Sequence, residues 1–210
     1  MHTLNYITAG KNVAETGKAL VMVHGRGGSA EDILTLADHL PVEDFALLAP
    51  RATNHSWYPY SFLAPPAQNE PWLTSALDTL QLLMDHLRAE GVSPENTWFL
   101  GFSQGACLTL EFVTRHATRY GGVIAFTGGL IGDRLYPANY RGDFAGTPVF
   151  IGTSDPDPHV PVTRVHETTG ILTGMHAVVT EKVYPNRGHT IIGHEIAQAT
   201  RILRPIVPTR

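Results

Sequence analysis

Six short apolar runs punctuate the chain, each about the length of a strand: Ala19–His24, Phe45–Pro50, Thr97–Phe102, Gly122–Gly128, Thr147–Thr153 and Ala177–Tyr184. Several are apolar without alternation, the pattern of strands covered on both faces. "LNYITAG", residues 4–10, adds a candidate edge strand. Between the runs the period lengthens to that of a helix. Ser29 followed by Asp32 reads as a capping box before Ile33, Leu34, Leu36 and Leu40. Asn69 reads as the cap of the next helix, with Pro71 in its first turn. Leu73, Leu77, Leu80, Met84 and Leu87 then recur at steps of three and four, one buried stripe, and Gly91 marks the stop. Further helices are expected over 105–118, 162–174 and 190–203. Alternating strands and helices imply an α/β fold with a mostly parallel sheet covered by helices on both faces. Such sheets bind ligands at the carboxyl ends of their strands.

The chain has 210 residues, 43% of them hydrophobic, which suits one domain over residues 1–210 with a sizeable core. Charged residues make up 16% and the net charge is −4, with no basic stripe, so nucleic acid is not an expected partner. No apolar run nears the roughly 18 residues that span a bilayer, so no membrane insertion is expected. The opening "MHTLNYITAG" lacks the charged and apolar regions of a signal peptide, and the single Cys107 cannot form an internal disulfide; a cytoplasmic location is expected.

The chemistry is concentrated just after the strands. Gly101-Phe102-Ser103-Gln104-Gly105 is a Gly-x-Ser-x-Gly pentapeptide between an expected strand and an expected helix. In that context the serine sits on a tight, strained turn with its hydroxyl exposed, and the N–H of the next residue, Gln104, points at the reaction centre. A serine needs a general base. Of eleven histidines, His189 in "YPNRGHT" follows a strand and a short turn at the correct edge. His194 lies within the last helix, and His2, His39, His86 and His116 read as surface or packing residues. His189, His194 and Glu195 do not have the spacing that aligns two metal ligands on a helix face, so no metal is expected. "TSDPDPHVP" offers two acids, Asp155 and Asp157, and either also suits a turn-forming Asp before Pro. The order Ser, Asp, His matches the triad order of α/β-hydrolases.

With "HGRGG", "GFSQGA", "DPHVP" and "GHTI" assembled, the chain resembles the phospholipase/carboxylesterase family of α/β-hydrolases, small serine esterases that include acyl-protein thioesterases. The resemblance spans essentially the whole chain, too short for the large cap domain of bigger lipases. It implies Ser103 as nucleophile, His189 as base and, through the Asp-Pro-x-Val-Pro pattern, Asp157 rather than Asp155 as the acid. It further implies an oxyanion hole made by the backbone N–H groups of Arg26 and Gln104. The Arg26 side chain is either a solvated loop cation or a contact to an acidic or polar substrate group.

The segment 50–66, "PRATNHSWYPYSFLAPP", has four aromatics and no helical period. Trp57, Tyr58, Tyr60 and Phe62 suit the wall of a substrate pocket, with Trp57 and Tyr58 as the expected substrate contacts; the alternative is a loop that packs them inward. Phe102 is expected under the elbow and Cys107 in the core. The expected activity is hydrolysis of small carboxylic esters through an acyl-enzyme, with no cofactor. Rivals are an acyl-protein or acyl-thioester hydrolase, a lysophospholipase, or a silent hydrolase fold that only binds a small molecule. The expected partner is a small ester, and a homodimer is compatible with the sequence.

Overall fold

The computed structural model describes residues 1–204. Its seven strands are β1 (Tyr6–Gly10), β2 (Ala19–Val23), β3 (Ala46–Pro50), β4 (Thr97–Phe102), β5 (Gly122–Phe126), β6 (Pro148–Asp155) and β7 (Val178–Pro185). They form one sheet in the order β1-β3-β2-β4-β5-β6-β7. The edge strand β1 pairs antiparallel with β3, and every other pair is parallel. The strands therefore follow the apolar runs to within two residues at each end.

The helices are α1 (Val13–Thr16), α2 (Ala30–Leu34), α3 (Pro66–Asn69), α4 (Trp72–Ala89), α5 (Gln104–Arg115), α6 (Val162–Gly174) and α7 (Gly193–Leu203). The short α1 and α3 carry no periodic stripe, so nothing in the hydrophobic pattern announces them. On β2, Ala19, Val21 and Val23 face the side covered by α4, α5 and α6, while Leu20 and Met22 face the side covered by α2 and α7. Both faces are buried, which is why the run does not alternate.

The α4 stripe is buried along its length. Its helix ends as the glycine predicts: Gly91 takes φ +85°, and the N–H groups of Gly91 and Val92 donate to the carbonyls of Arg88 and Leu87. Asn69 is a correction. The α4 cap position is Pro71, with no side-chain cap, and the Thr74 N–H donates to Glu70 Oε2 instead. Asn69 is buried and serves the preceding loop, accepting from the Tyr60 N–H and donating to the Ser61 carbonyl. The Ser29–Asp32 capping box is present, but α2 is short and passes into a 3₁₀ turn over Thr35–His39. Residues 190–192 lie before α7 rather than in it: Thr190 is in a bend, and Ile192 is extended, with its N–H donating to Glu195 Oε2 at the helix start.

Candidate active site

Residues that follow β2, β3, β4, β6 and β7 converge at the carboxyl edge of the sheet and line a cleft of about 770 Å³. Ser103 sits between β4 and α5 with φ 54° and ψ −120°, a conformation costly for any side chain and held by its surroundings. Its N–H donates to the Phe126 carbonyl. The two glycines of the pentapeptide are there for close approach. A Cβ on Gly105 would lie 2.2 Å from the Val23 carbonyl oxygen, and one on Gly101 would lie 2.5 Å from that of Gly105. The turn closes only because neither has one.

The Ser103 hydroxyl lies 2.7 Å from His189 Nε2, and His189 Nδ1 lies 2.9 Å from Asp157 Oδ2. A carboxylate can only accept, so Nδ1 carries the proton and Nε2 is left to accept from the hydroxyl. Asp157 Oδ1 receives the N–H groups of His159 and Val160, both at 2.8 Å. Burial alone would raise the Asp157 carboxyl, but the bonds from His159, His189 and Val160 outweigh it and hold the group below the ordinary carboxylate range. Its side chain is 0% exposed and still ionised. Asp155 is exposed at the end of β6, where its carbonyl accepts from the Asn186 N–H. Of the two acids, the structure brings only Asp157 to His189.

Gln104 is the first residue of α5, so its N–H has no acceptor inside the helix. The loop after β2 turns at Gly27, φ +77°, whose N–H donates to the His55 carbonyl, while the Gly28 N–H returns to Gly25. Arg26 lies between, and its N–H takes no backbone acceptor among the described residues. Both residues line the cleft beside Ser103.

The aromatic segment divides. Tyr58, Tyr60 and Phe62 line the cleft, but Trp57 does not. Trp57 is fully buried behind it, between the tilted rings of His2 and His24, with ring centroids 5.4 and 5.0 Å away. Its indole N–H donates to the His24 carbonyl at 2.9 Å. The expectation of Trp57 as a substrate contact is therefore corrected: an indole with a buried hydrogen-bond partner gains more from the interior than from the cleft. Trp57→Ala leaves a large cavity and is expected to cost about 3–5 kcal/mol of stability, read from urea unfolding. Phe102 does two things: half-buried, it packs against the apolar core, and it also lines the cleft with its ring 5.3 Å from that of His189. Cys107 is buried at the cleft floor, and burial pushes its thiol up to about 12, so it is no second nucleophile.

Side chains that the motifs did not single out hold the aromatic segment. The Gln104 amide accepts from the Trp57 N–H at 2.9 Å and donates to the Tyr58 carbonyl at 2.8 Å. Arg26 donates to Ser56 Oγ, the Pro59 carbonyl and the Tyr60 carbonyl at 3.0, 2.9 and 2.7 Å. It is thus neither a free loop cation nor wholly reserved for a ligand. His24 accepts the Ala52 N–H at Nε2 and donates from Nδ1 to the Gly25 carbonyl. His2 accepts the Thr53 N–H at Nδ1 and donates from Nε2 to the Trp57 carbonyl. Each imidazole must be neutral to accept, and burial lowers both pKa values. Their sign follows. The unfolded chain binds these protons below about pH 6.5 and the folded chain does not, so this stability is complete above that pH and lost as pH falls below it. His24→Gln is expected to reduce the slope of unfolding free energy against pH between about 5 and 6.5, by up to one proton.

His194 stands apart from the cleft and meets the Tyr184 hydroxyl at 2.6 Å. Glu195 is buried, and burial raises its carboxyl to about 7. Among the described residues no three His, Cys, Asp or Glu side chains cluster as metal ligands, and no helix is long and apolar enough to cross a membrane.

A family model described as Phospholipase/Carboxylesterase matches residues 7–206. The chain belongs to this family. The phospholipase/carboxylesterase structure from Dyadobacter fermentans DSM 18053 is 54% identical, with 97% of this chain and 98% of that one covered and a TM-score of 0.95. Esterase PE8 is 26% identical, with 98% and 100% covered and a TM-score of 0.80. Among curated members, acyl-protein thioesterase 1 of Gibberella zeae is 27% identical over 57% of this chain and 52% of its own length. A probable carboxylesterase of Oryza sativa subsp. japonica is 28% identical over 62% and 55%. The chain spans about half the length of these curated relatives.

Proposed function

We propose that this chain is a serine carboxylesterase that hydrolyses small esters through an acyl-enzyme. The observation that carries the reading is the continuous relay from Asp157 through His189 to Ser103, at 2.9 and 2.7 Å. Ser103 attacks the ester carbonyl as His189 Nε2 takes its proton. Asp157 keeps Nδ1 protonated and stabilises the imidazolium that forms. The developing oxyanion is received by the N–H groups of Gln104 and Arg26, each such donor being worth roughly 3 kcal/mol in the transition state. His189 returns its proton to the leaving alcohol, and water, activated by the same base, releases the acid. Residues 1–210 act as one domain, with no cofactor in the reaction.

The lining of the cleft suits short or aryl acyl groups. It includes the buried Tyr58 and Phe62 together with Pro158, Val160 and Pro161 of the acid loop. Membership of a family that contains acyl-protein thioesterases makes thioesters the competing substrates. A panel of 4-nitrophenyl esters and acyl-thioesters of graded chain length tests the assignment. The expected result is highest kcat/KM on short or aryl oxygen esters. Faster turnover of palmitoyl than of butyryl substrates would replace the small-ester reading with a long-acyl one, and turnover of thioesters alone would make the protein a thioesterase.

A further inference from the structure

The cleft contains one positive charge, Arg26, that no carboxylate pairs with among the described residues. Arg26 is held by three hydrogen bonds, and all three run to neutral oxygens of Ser56, Pro59 and Tyr60. Arg115 and Arg164, by contrast, pair with Glu111 and Glu167. Among the residues that line the cleft, Asp157 is the one carboxylate, and it is fully engaged. Oδ2 belongs to His189 and Oδ1 to two backbone N–H groups. An arginine side chain offers five N–H donors and no acceptor. Those of Arg26 are not exhausted. Two on Nη1 and one on Nη2 are used, which leaves Nε–H and a second Nη2–H without an acceptor among the described residues. Two parallel donors on a planar cation are what a carboxylate takes in a bidentate pair. His159 also lines the cleft, stands edge-on to His189 with its centroid 4.9 Å away, and adds no negative charge. In a chain of net charge −4, the cleft is thus locally positive. Arg26 is exposed, and a cleft that presents one sign of charge concentrates ligands of the other sign, most strongly at low salt.

We infer that Arg26 is a specificity residue that binds a carboxylate carried by the substrate, so that the preferred substrates are anionic esters such as half-esters of dicarboxylic acids. The inference rests on the ester-hydrolase reading above and names the substrate class for that site. The same side chain then has two duties. Three donors fix the aromatic wall, and that fixation places the remaining two before the substrate arrives, which lowers the entropy cost of recognition.

Two matched pairs of substrates test this: mono-4-nitrophenyl adipate against 4-nitrophenyl hexanoate, and 4-carboxyphenyl acetate against 4-carbamoylphenyl acetate. Each rate is referred to the ester's own hydrolysis by hydroxide. The expected result at low salt is a kcat/KM at least about tenfold higher for the charged member of one pair. The preference should shrink in about 0.5 M sodium chloride. Arg26→Gln should bring the ratio close to unity. Whatever that substitution costs through the aromatic wall it costs on both esters, so the ratio reports the charge alone. Equal rates within both pairs in the wild type, or a preference that survives Arg26→Gln, overturn the inference and leave the ester-hydrolase reading standing. No turnover of any of the four esters overturns both.

Discussion

Ser103→Ala is expected to lose ester hydrolysis by about 10⁴-fold or more while the protein stays folded. The hydroxyl is small and partly exposed, so its removal leaves no cavity in the core. The strained backbone at φ 54° is imposed by the closeness of β2, β4 and α5 rather than by the hydroxyl, and alanine can be held there by the same contacts. The loss is therefore chemical. With no nucleophile, the relay through His189 has nothing to activate, and what survives is the residual contribution of the oxyanion donors and of binding. Two measurements check it together: turnover of a 4-nitrophenyl ester, and mass-spectrometric mapping of a fluorophosphonate adduct. The adduct is expected on Ser103 alone. Cys107, buried and with its thiol pushed up to about 12, is expected to stay unlabelled by iodoacetamide in the folded protein. An adduct on another serine, or an active Ser103→Ala variant, would remove the proposed mechanism.

Asp157→Asn is the second large effect. The amide keeps the shape of the carboxylate and can still accept the His159 and Val160 N–H groups through Oδ1. At the other position it presents an NH₂ to His189, which forces Nδ1 to accept and moves the ring proton to Nε2. That nitrogen can then no longer take the serine proton. The corresponding misplacement in a serine protease costs about 10⁴ in kcat, and a loss of that order is expected here. Asp155→Asn is the control. Its carboxylate is exposed two residues away, and the variant is expected to keep at least about a tenth of wild-type kcat. Comparing kcat and Tm of the two variants separates catalysis from stability. The reverse ranking would give Asp155 the orienting role.

The α/β architecture was legible because the strands are buried on both faces and so are apolar without alternation. β2, with all five residues buried, and the α4 stripe need no tertiary information to be recognised. The edge strand β1 is partly exposed, and its pairing partner and antiparallel sense do not follow from its residues. Of the site, Ser103 and His189 were legible because a strand–turn–helix elbow and a histidine after the last strand are local patterns. The choice between Asp155 and Asp157 rested on family resemblance, since both acids occur in the same kind of turn. In the fold they separate at once: one side chain turns to solvent and the other is buried against His189.

What lay beyond the sequence were contacts between segments far apart in the chain. Asn69 has the chemistry of a helix cap, and local preference places it at a helix start. It instead satisfies a buried loop, because an amide can donate and accept where backbone groups would otherwise be unpaired. Trp57 had the composition of a pocket wall, yet only the approach of His2 from the N-terminus and His24 from β2 decided that it would be enclosed. Arg26 and Gln104 stand out in the sequence for their backbone N–H groups, while their side chains reach thirty to forty-seven residues away to hold the aromatic segment. The residues that do chemistry are written in short local motifs, because strained turns and strand ends are made by neighbours in sequence. Which side chains surround them is decided by packing, since burial and hydrogen-bond partnership at a sheet edge depend on every strand that ends there.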